Sequence, residues 1–101
     1  MANLTVTECA AKGAALLDQV HPEWAHKVYT ETLDIYEVDD CVLAQVFGGY
    51  LEGLDAIGDF LGWHFTNLAQ MQYGFDGNEG LGYTFTGLTE AWAAEADKRR
   101  F

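Results

Sequence analysis

Leu43, Val46, Phe47, Tyr50, Leu51, Leu54 and Ile57 recur at spacings of three and four residues. That period lines one side of a helix, whereas a strand would scatter the same residues over both faces. It is the clearest structural signal in the chain, and it commits the centre of the sequence to helix. Asp39 or Asp40 is expected to cap this segment, which begins through Cys41 and Val42. Gly48-Gly49 is expected to divide it in two, because adjacent glycines lower helix preference and permit a change of axis.

The flanking segments continue the pattern. A helix from near Glu8 to Val20 is predicted, capped by Thr7 and with Glu8 in its first turn. Ala10, Ala14 and Leu17 form its inner face, Ala11 and Ala15 widen it, and Gly13 locally weakens the helix propensity. Pro22 ends that helix and starts a short turn that folds Trp24 toward the core. Leu33 and Ile35 anchor the irregular connection that follows. A further helix near Thr66 to Tyr73 uses Leu68 and Met71 internally, and a glycine-rich turn from Gly74 to Gly80 follows it. The last helix starts near Thr86 or Gly87, faces Leu88, Ala91 and Trp92 inward, and ends on Lys98, Arg99 and Arg100, which complement its negative end.

The predicted fold is all-α: one four- or five-helix domain over residues 1–101. The alternation from Gly82 to Thr86 also admits a short strand, although a lone strand would need a pairing partner. With 101 residues the chain is too short for a two-domain enzyme of ordinary size. Half of it is hydrophobic, far from the composition of a disordered acidic tail. Trp24, Trp63 and Trp92, with Phe47, Phe60 and Phe65, are read chiefly as core filling.

Charge narrows the classes of partner. The formal net charge is -11, and Val28 through Asp97 holds 13 acidic residues with no Lys or Arg. Repulsion from phosphates opposes direct nucleic-acid binding, while a basic protein is attracted by the same field. No apolar run is long enough for a bilayer, and the first residues lack the order of a signal peptide. Cytoplasmic folding without membrane contact is therefore expected, in the host cytoplasm if the source is a virus. Cys9 and Cys41 are read as reduced, partly buried thiols.

The catalytic and metal motifs are mostly missing. There is no phosphate-binding loop ending in Gly-Lys-Ser or Gly-Lys-Thr, and no Cys-x-x-Cys pair. Asp76, Asn78 and Gly80 imitate the start of a calcium loop, yet its sixth position is Leu81 and its twelfth is Gly87, where glycine and glutamate are required. His21 and His26 are five residues apart, off the one-face spacing of a zinc-protease helix. A Cys-His-acid arrangement would need a pairing that sequence does not supply. No catalytic residue, cofactor or metal is expected, and the chain is read as a non-enzyme.

Two clusters point instead to protein contact. Glu52, Asp55 and Asp59, at three- and four-residue spacing, place carboxylates together on an outer helix face. A basic partner groove could receive them, and a rigid row of this kind could imitate DNA phosphates. Trp63, His64 and Phe65 form an aromatic cluster beside Gly62; exposed and surrounded by acid, it would act as a binding anchor.

The order of several segments also resembles a family of small uncharacterised proteins of actinobacteria and actinobacteriophages. These segments are Gly13-Ala14-Ala15-Leu16-Leu17-Asp18, Pro22-Glu23-Trp24, Asp40 through Gly48, Tyr73-Gly74-Phe75-Asp76 and Leu88-Thr89-Glu90-Ala91-Trp92. The resemblance implies a phage-related protein and carries over no catalytic residues. The expected function is that of an accessory protein working through contact with a basic host protein or a phage protein. A structural phage component is the alternative, and a small enzyme of unidentified activity comes third. Sequence leaves the oligomeric state open.

Overall fold

A computed structural model describes residues 5–37, 39–62, 64–77 and 83–100. Among them the chain forms five α-helices: α1 (Val6–Val20), α2 (Val42–Phe47), α3 (Tyr50–Leu61), α4 (Asn67–Gln72) and α5 (Leu88–Arg100). A single 3₁₀ turn, Trp24–Lys27, follows α1. The fold is compact and all-α, as the periodicity of the sequence requires.

Helix α1 begins two residues before the predicted start, and its cap is Thr5 rather than Thr7. The Glu8 backbone N–H donates to Thr5 Oγ1 at 3.1 Å, while the Thr5 N–H donates to Glu8 Oε1 at 2.9 Å. Each residue thus satisfies a donor that the helix end would otherwise leave open, which Thr7 has no equivalent means of doing. These hydrogen bonds from Thr5 also hold the Glu8 carboxyl below its ordinary range. Cys9, Ala10, Gly13, Ala14, Leu16 and Leu17 are the buried side of the helix. Ala11 and Ala15 are exposed, contrary to expectation; α5 meets α1 on the Gly13 side, where the Trp92 ring approaches.

The core is centred on Trp24 and Trp92, both fully buried. Their rings meet edge-on with centroids 5.5 Å apart, and Phe75 stacks on Trp92 at 5.3 Å. Buried indoles need partners for their N–H groups. Trp92 Nε1–H donates to the Gly74 carbonyl at 2.7 Å, and Trp24 Nε1–H donates to Asp18 Oδ1 at 2.9 Å. Leu33 and Ile35 are buried as predicted, and the Ile35 N–H donates to Thr89 Oγ1 at 3.0 Å, tying the irregular connection to α5.

The break between α2 and α3 falls at Gly48-Gly49. Gly48 has φ 89°, a left-handed conformation that costs glycine little, and Gly49 is the N-cap of α3. The N-cap of α2 is Cys41, not Asp39 or Asp40, since Cys41 carries the extended φ and ψ that precede the first turn. The carbonyl of Asp40 is instead an acceptor for Gln45 Nε2 at 2.9 Å and the Asp34 N–H at 3.2 Å.

Three residues assigned to the interior lie outside it: Leu51, Leu68 and Phe60 are 68%, 50% and 49% exposed. Helix period places a residue on a face, but a face is buried only where another element covers it. The main helix contacts of α3 run to α2 and α1 and those of α4 to α1, and Leu51, Phe60 and Leu68 stay largely in water.

The alternation near residues 82–86 does not make a strand among the described residues. Gly82 lies outside them, Tyr83 forms an isolated bridge, and Thr84 to Thr86 turn into α5. The Thr86 N–H donates to Thr84 Oγ1 at 3.0 Å, a side-chain bond that competes with extended pairing.

Candidate functional site

A cavity of about 550 Å³ opens between α3 and α4. One wall is the α3 face carrying Tyr50, Leu51, Leu54, Asp55, Gly58 and Asp59, residues at helical intervals of one, three and four. The other wall comprises His64 and Phe65 from the connection, then Asn67 and Gln70 of α4.

A part-buried polar network joins its two walls. Tyr50 donates its hydroxyl hydrogen to Gln70 Oε1. The Gln70 amide in turn donates through Nε2 to the Phe65 carbonyl at 3.2 Å and to Asn67 Oδ1 at 3.4 Å. These bonds tie the start of α3 to α4, while the Thr66 hydroxyl accepts the Ala69 N–H at 3.2 Å and caps α4. Burial, followed by the nearby charges of Asp76 and Cys41, raises the Tyr50 phenol well above its ordinary range. At neutral pH Tyr50 is therefore a neutral hydrogen-bond donor.

The predicted binding residues divide. Asp55, Asp59, His64 and Phe65 come together around this cavity. Asp55, Asp59 and His64 are exposed, so their polar groups face water and any partner. Phe65 is 3% exposed and packs against Tyr73 and Phe75, with ring centroids 5.5 and 6.0 Å away, so it supports the cavity wall and is not an exposed anchor. Glu52 is exposed but is not part of the cavity; its carboxylate folds back over Gly49, where a Cβ would overlap it. Trp63 lies outside the described residues.

Tyr50, Leu51, Leu54, Gly58, Asn67 and Gln70 were not singled out as site residues. For Tyr50, Leu51 and Leu54 the signal is the apolar stripe of α3, part of which neighbouring helices leave uncovered; Asn67 and Gln70 of α4 carry no such signal. Leu51 and Asp55, one turn apart, mark the edge where that stripe meets the acidic row.

Outside the groove, Cys9 and Cys41 carry buried thiols rather than a disulfide. Burial pushes both thiols up from their ordinary range, with Lys12 partly opposing this at Cys9 and the backbone N–H groups of Ala44 and Leu43 at Cys41. No group of three or more His, Cys, Asp or Glu side chains among the described residues converges as a metal site. Asn78 and Gly80 of the calcium-like segment lie outside those residues. Among the described residues no helix is long and apolar enough to cross a membrane.

The terminal basic residues are engaged within the fold. Lys98 pairs with Glu95 at 2.9 Å, Arg99 bonds Asp18 and Glu95, and Arg100 donates to the carbonyls of Ala25 and Val28. They do more than complement a helix dipole, since Arg99 and Arg100 fasten α5 to α1 and to the 3₁₀ turn and its cap.

The chain is thus an all-α protein in which the groove between α3 and α4 joins exposed leucine to exposed carboxylate. No protein family, curated protein or solved structure matches it.

Proposed function

We propose that this protein is an accessory factor that acts by occupying the surface of another protein, and that the groove between α3 and α4 is its contact surface. The observation that carries this reading is the juxtaposition of exposed Leu51 and half-buried Leu54 with exposed Asp55 and Asp59 on one face of α3. Apolar groups at the centre of a contact provide affinity when desolvated, while peripheral charges steer encounter and orient the partner. The net charge of -11 extends that steering beyond the groove.

The resemblance of the sequence segments to proteins of actinobacteria and their phages supports a phage-related role in the host cytoplasm. Removal of Glu52 from the acidic row leaves a mixed leucine-carboxylate surface, which favours a protein groove over imitation of a phosphate backbone. The reading calls for contact and no chemical turnover.

Site-specific photo-crosslinking tests it. A photoreactive residue at Leu51 or His64, used in lysate of an actinobacterial host, should capture a discrete protein that the same residue at Glu31, exposed outside the groove, does not capture. Identical products from all three positions, or none from the groove, would reject the assignment.

A further inference from the structure

We infer that the occupant of this groove is a basic amphipathic helix of another protein. Two of its Lys or Arg side chains, one turn apart, meet Asp55 and Asp59, and an apolar residue on the same face seats against Leu51 and Leu54. This rests on the contact reading above and specifies the chemistry of the partner.

The groove walls favour side-chain recognition. In the middle of an α-helix the backbone donors and acceptors are already paired, so α3 offers no open sheet edge along Leu54 to Asp59 onto which a peptide could add as a strand. A helix laid in a groove instead presents anchors at intervals of three, four and seven residues. Asp55 and Asp59 are one turn apart, about 6 Å along the axis, matching cations at equivalent spacing on a partner helix. From Leu51 to Asp59 the wall runs for about 12 Å, or roughly two turns of such a helix.

The protein's own cations are poor candidates for this role. Arg99 and Arg100 hold the fold together, Lys98 pairs with Glu95, and Lys12 sits over the Tyr73 ring at 4.7 Å. Lys27 is fifteen residues from the nearest Lys or Arg in sequence and cannot supply two Lys or Arg side chains on successive turns. A second copy would also bring its own charge of -11 against the first. Charge complementarity therefore selects a different, basic chain.

The test uses the full-length protein and three synthetic capped peptides. One has an Ala background with Lys pairs and Leu on one helical face, one is its scrambled isomer, and one has Glu for Lys. Backbone amide NMR titration locates binding, while fluorescence anisotropy measures affinity at low and raised salt. The amphipathic basic peptide should bind about tenfold more tightly than its isomer. Its shifts should concentrate on residues 50–59 and 64–70, and the Glu peptide should not bind. Asp55→Asn with Asp59→Asn should weaken binding about tenfold. Glu31→Gln with Glu37→Gln, which removes the same charge from exposed sites outside the groove, should change it less than about twofold. Circular dichroism and amide spectra verify that both double variants remain folded.

Equal binding of the two isomers, or equal weakening by both double variants, would show attraction to the general field and overturn the inference. Self-association through Leu51 that the peptide does not displace would overturn it in favour of a second copy. Groove-specific crosslinking to a protein together with failure of the basic peptide would leave the contact reading standing and reject the basic helix. Specific peptide binding without any crosslinked protein would reject the cellular contact reading while identifying the groove's chemical preference.

Discussion

Arg99 closes on Asp18 from eighty-one residues away through a two-pronged contact, Nε to Oδ1 at 2.8 Å and Nη2 to Oδ2 at 2.9 Å. The same guanidinium lies 5.5 Å from the Trp24 ring centroid, and Asp18 also accepts the Trp24 indole N–H. A planar fork is needed for both prongs, so lysine would preserve charge without preserving geometry. Arg99→Lys is expected to destabilise the fold by about 1 kcal/mol, a value kept small because Asp18 remains partly exposed. Urea denaturation checks this, and an unchanged midpoint would show that charge alone suffices.

The acid stability follows from Asp18 and Glu95. The hydrogen bond from Arg99 leads in holding Asp18 below its ordinary range, opposed by its partial burial. Burial of Glu95 by itself pushes its carboxyl up, but the hydrogen bonds and charges of Lys98 and Arg99 leave it lowered. Both folded-state values thus lie below the unfolded ones. Their stabilisation is fully present above the unfolded range of about pH 4 and is lost as pH falls through the folded values. The urea midpoint should decline as the solution is acidified from about pH 5, and Asp18→Asn should lower the neutral midpoint and shallow this decline. An equal acid slope in wild type and variant would contradict the linkage.

Gly13→Ala has an expected sign opposite to ordinary helix propensity. Alanine at an exposed helix position would stabilise by about 1 kcal/mol. At Gly13, however, a Cβ would overlap the Tyr73 carbonyl and approach Trp92 Cζ2 to 2.6 Å. Overpacking at this α1 crossing should cost about 1–3 kcal/mol, measured as a lower denaturation midpoint. A gain in stability would mean that α1 can shift away from the Trp92 ring freely.

The thiols should react slowly while the protein is folded. Reaction requires thiolate and access, and burial opposes both at Cys9 and Cys41. At neutral pH a thiol reagent should label the native protein far more slowly than the denatured chain. Native labelling at the denatured rate would contradict the buried placement.

The groove contains residues whose stability effects should separate cleanly. Tyr50→Phe removes the hydroxyl that satisfies buried Gln70 and should cost about 1–2 kcal/mol. Leu51→Ala, at a largely exposed position, should change stability by less than about 0.5 kcal/mol. Thermal and urea unfolding of the two variants provide the comparison. A large loss for Leu51→Ala would assign that leucine to the fold rather than to a contact.

Much of the helical framework was legible before the structure. Gly48-Gly49 marks the break between α2 and α3, Pro22 follows the end of α1, and buried Trp24 and Trp92 follow from their helical settings. The caps of α1 and α2 were harder to place because neighbouring residues offered similar chemistry. Thr5 prevails over Thr7 through its reciprocal bonds with Glu8, and Cys41 takes the cap position expected of its aspartate neighbours. At the candidate site, the four-residue spacing of Asp55 and Asp59 places them on a shared face, and Phe65 follows its core-filling reading rather than the alternative of an exposed anchor, a choice that aromatic character alone does not make.

Local sequence alone determined where helices can form and which residues share a helical face, since backbone period and turn chemistry act over a few positions. Tertiary structure alone decided which of those faces are covered. It buried Phe65 against Tyr73 and Phe75, left Leu51 in water, joined Tyr50 to Gln70 and brought Arg99 to Asp18. Such pairings depend on how separate helices cross and on which atoms compete for the same space, distances that no local period specifies.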